Sequence, residues 1–252
     1  MRITLLVCTL NEIEGMRIIM PRIDPRWVDE ILVVDGGSTD GTVEWARENG
    51  YRVHVQRRPG LRNAYCEALE LISGEVFIPF SPDGNSLPEV IPVLAAKIRE
   101  GWAHVIATRY GFGAKSEDDD LATGFGNWLF PALVNLAFGT GFTDVLGMYR
   151  AIRVDVFRAL RLHLDATYRL EDAITRCTMG CEPLLSMRLA KYRLPCSEVP
   201  GDEPRRIGGV RKLKVFRWGC GHLIQLAKER LGRRDPAVTA ALEALSLTRR
   251  GS

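Results

Sequence analysis

Residues 31–42 read Ile-Leu-Val-Val-Asp-Gly-Gly-Ser-Thr-Asp-Gly-Thr. Four apolar, mostly β-branched residues spell a buried strand, and Gly36-Gly37 after Asp35 stops it sharply. Asp40-Gly41 closes the turn, and Thr42 or Asp40 is placed to cap a helix over Val43–Asn49. Asp35 therefore stands at the carboxyl end of a strand, the edge at which open parallel sheets bind ligands. An ordinary strand-to-helix turn accounts for Gly and Asp, but not for two carboxylates bracketing Gly-Gly-Ser-Thr.

Working outward, strand-like and helix-like segments alternate. Strands are expected at Ile3–Leu10, Ile31–Asp35, Tyr51–Gln56, Val76–Phe80 and His104–Thr108. Helices are expected at Ile13–Ile23 (interrupted by Pro21), Val43–Asn49, Leu61–Ile72 and Pro88–Arg99. That order predicts an α/β fold, a doubly wound, mostly parallel sheet with helices on both faces. Beyond it, Thr143–Ile152 reads as a strand, and Val154–Leu160, Glu171–Met179 and Leu184–Tyr192 as helices. Pro195–Val199 is extended, Gly201–Lys214 a basic loop, Val215–Leu231 an amphipathic helix, and a last helix follows Pro236. We divide the chain into a catalytic domain at 1–214 and a basic, helical extension at 215–252.

The chain has 252 residues, enough to bury a full core without staples. Six cysteines without a Cys-x-x-Cys pair read as reduced, buried thiols, and the strand that begins at Ile3 leaves no signal peptide, so a cytoplasmic protein is expected. Four scattered histidines have no metal-ligand spacing. The net charge of +3 is ordinary, but Arg205 to Arg234 carries ten Lys or Arg and one acid, Glu229. Such a cluster suits phosphates or an anionic membrane surface; with no nucleic-acid motif beside it, nucleic acid is not expected. Leu121 to Thr143 has no charged side chain over 23 residues, long enough to span a bilayer. Its glycines, Pro131, Asn127 and Asn135 favour instead a buried or interfacial helix at about Asn127–Phe138.

A second constellation, Phe80-Ser-Pro-Asp-Gly-Asn85, follows the fourth strand. Pro82 and Gly84 force a tight turn that projects Asp83 over the sheet edge, and Asp83 and Asn85 are hard oxygen donors suited to Mg²⁺ or Mn²⁺. A surface Asx turn explains the local pattern as well. Thr9-Leu10-Asn11-Glu12, the Asp35/Asp40 turn and Asp83/Asn85 nevertheless all fall at strand carboxyl ends.

Together these residues resemble family 2 of the glycosyltransferases, with the GT-A nucleotide-diphospho-sugar transferase fold, over roughly residues 1–215. Gly60-Leu-Arg-Asn-Ala64, Ala107-Thr-Arg-Tyr110 and Asp144–Arg150 fall where family blocks are expected. Glu198-Val-Pro200, Arg206-Ile-Gly-Gly209 and Arg211-Lys-Leu213 are most similar to polyprenyl-phosphate (dolichyl-phosphate) sugar synthases. The resemblance implies an inverting transfer of a GDP- or UDP-linked sugar to a polyprenyl phosphate, or to a hydroxyl of a sugar or glycolipid. It implies a nucleotide-sugar site of Thr9, Asn11, Glu12, Asp35, Asp40, Arg62 and Asp83, with metal on Asp83 and Asn85. It implies anchors for the acceptor phosphate at Arg109, Arg150, Arg206 and Lys212. Asp83, Asp144, Arg150, Glu171 and Asp172 are the catalytic candidates, the last two and Asp144 as a base for a hydroxyl acceptor.

Two positions depart from the family pattern. Ser81 stands where Asp-x-Asp has its first carboxylate, which removes a charge from the metal site and puts metal dependence in question. Asp118-Asp-Asp120 runs where the synthases usually carry Arg; acids there repel a phosphate unless the run is a solvated loop. A dehydrogenase is excluded because Gly111-Phe-Gly113 and Gly124-Phe-Gly126 lack a third glycine and a fitting strand. A nucleotidyltransferase would want a glycine-rich basic loop after the first strand. A non-catalytic sugar-nucleotide binder is the rival from another class, motivated by Ser81. The uncharged stretch and the basic segment together suit a peripheral contact with the cytoplasmic face of a membrane.

Overall fold

The computed structural model describes residues 1–207 and 215–245. Its strands are β1 (Ile3–Thr9), β2 (Glu30–Asp35), β3 (Arg52–Val55), β4 (Val76–Phe80), β5 (His104–Thr108), β6 (Arg150–Arg153) and β7 (Cys196–Pro200). They form one sheet in the order β3-β2-β1-β4-β6-β5-β7, parallel except for β6. The chain winds outward from β1 to β3, then returns to lay β4 on the other side of β1. The β1/β4 junction is thus the topological switch point, the place where open α/β sheets set their ligand crevice at the strands' carboxyl ends.

Alternation along the strands sets the two faces. Ile3, Leu5 and Val7 of β1 point to one face with Val33, Ile78 and Val105, and are covered by α1 (Ile13–Ile19), α2 (Thr42–Glu48) and α4 (Val90–Arg99). Leu6, Leu32 and Phe77 point to the other, under α3 (Leu61–Ala68), α6 (Val154–Ala159) and α8 (Glu182–Tyr192). A smaller cluster of Phe130, Val134, Val145 and Met187 joins α5 (Leu121–Phe138), α8 and α9 (Val215–Leu231). The helices α7 (Arg169–Thr175) and α10 (Pro236–Glu243) complete the set, α9 packing on α5, α7 and α8. The boundary drawn at 214 falls outside the described residues.

Three expected elements differ. The strand at Thr143–Ile152 is confined to its end, because the Asp144 carboxylate accepts from the backbone N–H of Leu146 and Gly147 and folds the preceding residues into a turn. The helix expected to reach Met179 stops at Thr175, where Arg176 takes a left-handed conformation (φ 52°). The uncharged helix is longer than expected and starts at Leu121, through a capping box in which Asp120 and Thr123 satisfy each other's backbone N–H. It continues through Gly124, Gly126 and Pro131, and only Thr123, Phe130, Pro131 and Val134 are buried.

Phe157 is fully buried and meets Phe77 edge-on at 5.5 Å between ring centroids. Phe157→Ala should therefore cost about 3–5 kcal/mol of stability, read as a lowered midpoint in urea unfolding with an unchanged slope.

Candidate active site

The crevice begins with Asp35. This carboxylate has no solvent exposure, and it accepts from Thr9 Oγ1 (2.7 Å), Gly37 N (2.8 Å), Ser38 N (2.7 Å) and Ser38 Oγ (2.5 Å). Gly37 turns at φ 96°, a conformation only glycine adopts without strain, and this brings both N–H groups onto one oxygen. The loop after β1 is bound to the same turn: Asn11 N donates to Ser38 Oγ, and Asn11 Oδ1 accepts from Thr39 N. Asp40 takes the N–H of Ile13 and Thr42, and Glu12 N donates to Thr42 Oγ1. Gly41, not Thr42 or Asp40, is the helix cap residue. Asp35 and Asp40, expected at the nucleotide, build the platform on which Thr9, Asn11 and Glu12 lie; the four bonds to Asp35 fill its oxygens, while Asp40 is exposed and accepts three. A saturated, buried carboxylate has no lone pair left for a ribose.

Across the switch point, the turn after β4 buries Asp83 and Asn85. Asp83 Oδ1 accepts from Asn85 N (3.1 Å), and its Oδ2 lies 3.3 Å from Arg206 Nη1. Ile207 N donates to the Asp83 carbonyl (2.7 Å), so the chain beyond β7 closes over this turn. The turn needs Gly84 twice: its φ is 91°, and a Cβ there would lie 2.7 Å from Ile207 Cγ1. Asn85 Nδ2 donates to Asp118 Oδ2 (2.9 Å), while Asn85 Oδ1 is buried without a hydrogen-bond partner. An orphaned amide oxygen beside a buried carboxylate fits a hard divalent cation, so the residues present suit Mg²⁺ or Mn²⁺.

The acidic run is not a solvated loop. Asp118 faces Asn85 and Arg206, Asp119 accepts from Tyr110 Oη and Asn127 Nδ2, and Asp120 caps α5.

The remaining expected residues are held elsewhere. Arg62 is buried with its guanidinium on Asp172 (2.7 Å) and over the Tyr168 ring, and Asp172 also accepts from Met179 N. In this arrangement Arg62 and Asp172 neutralise each other, the Asp172 side chain remaining partly exposed. Glu171 is fully buried and ion-paired with Lys228 of α9, under the helices rather than in the crevice. Arg150 is fully buried, donating to Gly147 O (2.8 Å) and to Ser186 Oγ (3.2 Å). It ties the Asp144 turn to α8 and does not reach an acceptor. Arg109 binds Asp144 through Nε (2.7 Å) and Nη2 (3.1 Å) and also reaches Glu203 (3.3 Å). Arg62, Arg109, Asp144, Glu171 and Asp172 are buried or partly buried in ion pairs, whereas Arg150 is held by neutral oxygens. Lys212 lies outside the described residues. The contact that local sequence reading misses is Asp118 with Asn85, because it joins two loops 33 residues apart.

A crevice at the switch point of a mostly parallel sheet, with a carboxylate-bearing turn on β4 and no phosphate-cradling glycine loop after β1, defines a nucleotide-sugar transferase of the GT-A type. Residues 22–161 match the family described as Glycosyl transferase family 2. The chain belongs to that family, and it is a glycosyltransferase. It is 29% identical over 252 residues to an undecaprenyl-phosphate mannosyltransferase of Micrococcus luteus, covering 92% of this chain and 100% of that one. It is 36% identical over 126 residues to a dolichol-phosphate mannosyltransferase of Pyrococcus furiosus, covering 47% and 36% of the two chains. Among solved structures, glucosyl-3-phosphoglycerate synthase of Mycobacterium tuberculosis with Mn²⁺, UDP and glucosyl-3-phosphoglycerate superposes with a TM-score of 0.60. It is 22% identical, covering 93% of this chain and 81% of that one.

Burial opposes ionisation of Asp144, yet the Arg109 guanidinium and the Gly147 N–H hold its carboxyl at about 2, down from 3.8. A depressed carboxylate stabilises the fold above its unfolded pKa and loses that contribution as pH falls through the folded value. Asp144→Asn should leave Arg109 with Glu203 as its remaining carboxylate, at a cost of about 2–3 kcal/mol near neutrality. Chemical denaturation from pH 7 to pH 2 checks this: the deficit should shrink between about pH 4 and pH 2.

Proposed function

We propose that the protein transfers a sugar from a nucleoside-diphosphate sugar to a polyprenyl phosphate, at a membrane surface and with inversion at the anomeric carbon. One observation carries the choice of acceptor. The three carboxylates suited to activate a hydroxyl are all engaged: Asp144 by Arg109, Asp172 by Arg62 and Glu171 by Lys228. An alcohol needs a base to become a nucleophile, whereas a phosphate oxygen is already anionic. The names of the Micrococcus luteus and Pyrococcus furiosus relatives, both polyprenyl-phosphate mannosyltransferases, support the same acceptor and favour a mannosyl donor.

In this reading the diphosphate lies between the Thr9–Glu12 loop and the Asp83 turn. Asp83 and Asn85 would hold Mg²⁺ or Mn²⁺, whose chemistry there would be to neutralise charge on the departing diphosphate. Arg206 and Lys212 supply the cations toward the phosphate groups, as charge-assisted hydrogen-bond donors. The acceptor oxygen attacks the anomeric carbon from the face opposite the diphosphate, and the nucleoside diphosphate leaves.

The helical layer beside the crevice supports a peripheral membrane contact. On α5, Leu121, Phe125, Trp128 and Leu136 form one exposed stripe, Leu121 being 97% exposed. The neighbouring α9 exposes Phe216, Leu223 and Leu231, and α7 exposes Leu170 and Ile174. Three adjacent helices with outward apolar rows, flanked by Arg217, Arg230 and Arg233, suit burial at a lipid interface with cations on the headgroups. By length and composition alone α5 is long and apolar enough to cross a membrane; its packing on α8 and α9 favours lying at the surface, at the cytoplasmic face where the donor is soluble.

Incubation with radiolabelled GDP-mannose or UDP-glucose should label undecaprenyl phosphate but not undecaprenol. Labelling of the alcohol at a comparable rate would replace the acceptor assignment. Flotation with liposomes should recover the protein in proportion to anionic lipid and less at high salt. Phe125→Ser with Trp128→Ser should lower that recovery at least about tenfold, each buried aromatic contributing on the order of 1.5–3 kcal/mol. Quantitative recovery in the soluble fraction under every lipid condition would remove the membrane assignment.

A further inference from the structure

Position 81 lacks the carboxylate that an Asp-x-Asp turn would place there, and the sequence alone leaves the site one charge short. The tertiary structure brings another carboxylate to the same place from a distant loop. Asp118 Oδ2 lies 2.9 Å from Asn85 Nδ2, and the two guanidinium nitrogens of Arg206 span the gap between carboxylates, 3.3 Å from Asp83 Oδ2 and 3.7 Å from Asp118 Oδ2. One cation, the arginine, thus already bridges Asp83 and Asp118. The Arg206 Nε and Asn85 Oδ1 are both buried without hydrogen-bond partners, so the cluster is built around a charge that the protein's own groups only partly satisfy.

We propose that Asp118 joins Asp83 and Asn85 as a divalent-metal ligand, replacing from the loop before α5 the carboxylate that Ser81 lacks, and that Arg206 is the cation the metal displaces. Mg²⁺ and Mn²⁺ take oxygen ligands, commonly one or two carboxylates with the rest from water and diphosphate. Asp83, Asp118 and the Asn85 amide oxygen meet that requirement, whereas Asp83 and Asn85 alone carry a single negative charge. The assignment also accounts for an acidic run near an anionic acceptor: Asp118 is neutralised by the metal, Asp119 is tied to Tyr110 and Asn127, and Asp120 caps a helix. Arg206, released from the two carboxylates, then has its donors available for phosphate oxygens.

The inference rests on the donor half of the proposed function and is independent of the acceptor, so its test uses the metal alone. Mn²⁺ is titrated into the full-length protein, and the free ion is read by its electron paramagnetic resonance signal. Asp118→Asn should weaken Mn²⁺ binding at least about tenfold. Glu117→Gln, which removes a charge one residue away on an exposed side chain, should change it less than about twofold. Ser81→Asp should tighten binding in the native background and restore it in Asp118→Asn. Arg206→Ala should tighten binding, since it removes the competing cation; a purely structural Arg206 would give the opposite result. Equal Mn²⁺ affinity in the native protein and Asp118→Asn, or equal losses in Asp118→Asn and Glu117→Gln, would overturn the assignment. So would a native protein that binds no Mn²⁺ at millimolar concentration.

Discussion

A carboxylate with no access to water must find its hydrogen-bond donors inside the protein, and Asp35 finds four. They come from Thr9 on the neighbouring strand and from Gly37 and Ser38 in its own turn, so one side chain locks the ends of β1 and β2 together. Asn11 then latches onto Ser38 and Thr39, and Asp40 onto Ile13. Half of the crevice is rigid for this reason. The other half, the Asp83 turn, stands across the switch point and is closed from above by Arg206 and Ile207.

Around the crevice, desolvation sorts the charged side chains into two groups. Those drawn into the helical layers are neutralised in pairs: Arg62 with Asp172, Lys228 with Glu171, and Arg109 with Asp144. Glu198 extends the last pair by accepting from Thr143 and Asp144 N–H groups, which fixes the turn that delays the start of β6 to Arg150. These pairs hold loops and helices in place and leave little proton-transfer capacity. The second group, Asp83, Asn85, Asp118 and Arg206, gathers at the turn after β4; Asn85 Oδ1 and Arg206 Nε are buried there without hydrogen-bond partners, as Arg62 Nε and the Glu171 oxygens are in the first group.

The same helices that bury those pairs turn apolar rows outward. Phe130 and Val134 of α5 face inward to Val145 and Met187, while Phe125 and Trp128 one turn away face out. A helix apolar on both sides needs a partner on each, and among the described residues only one side of α5 is covered. The outward side begins at Leu121, immediately after the acidic run that reaches Asn85.

Much of this was legible residue by residue. The strand Ile31–Asp35 and the glycines after it depend on period and backbone conformation, which are properties of neighbours in the chain, and the same holds for Asp83 between Pro82 and Gly84. A doubly wound, mostly parallel sheet followed from alternating strands and helices, whereas the order of its strands, with β6 antiparallel between β4 and β5, came from the structure. The partners of the charges were not legible. Arg62 and Asp172 are 110 residues apart, and nothing near either residue says that α3 and α7 will press them together out of water. The expected strand at Thr143–Ile152 failed for a related reason: Asp144, drawn to Arg109, bends the backbone that its apolar neighbours would have extended. Local stereochemistry is written in adjacent residues, and so the sequence by itself determined the sheet, its crevice and the turns that line it. Which carboxylates stay open to chemistry depends on burial and on cations delivered from distant elements, and only the tertiary structure decided that.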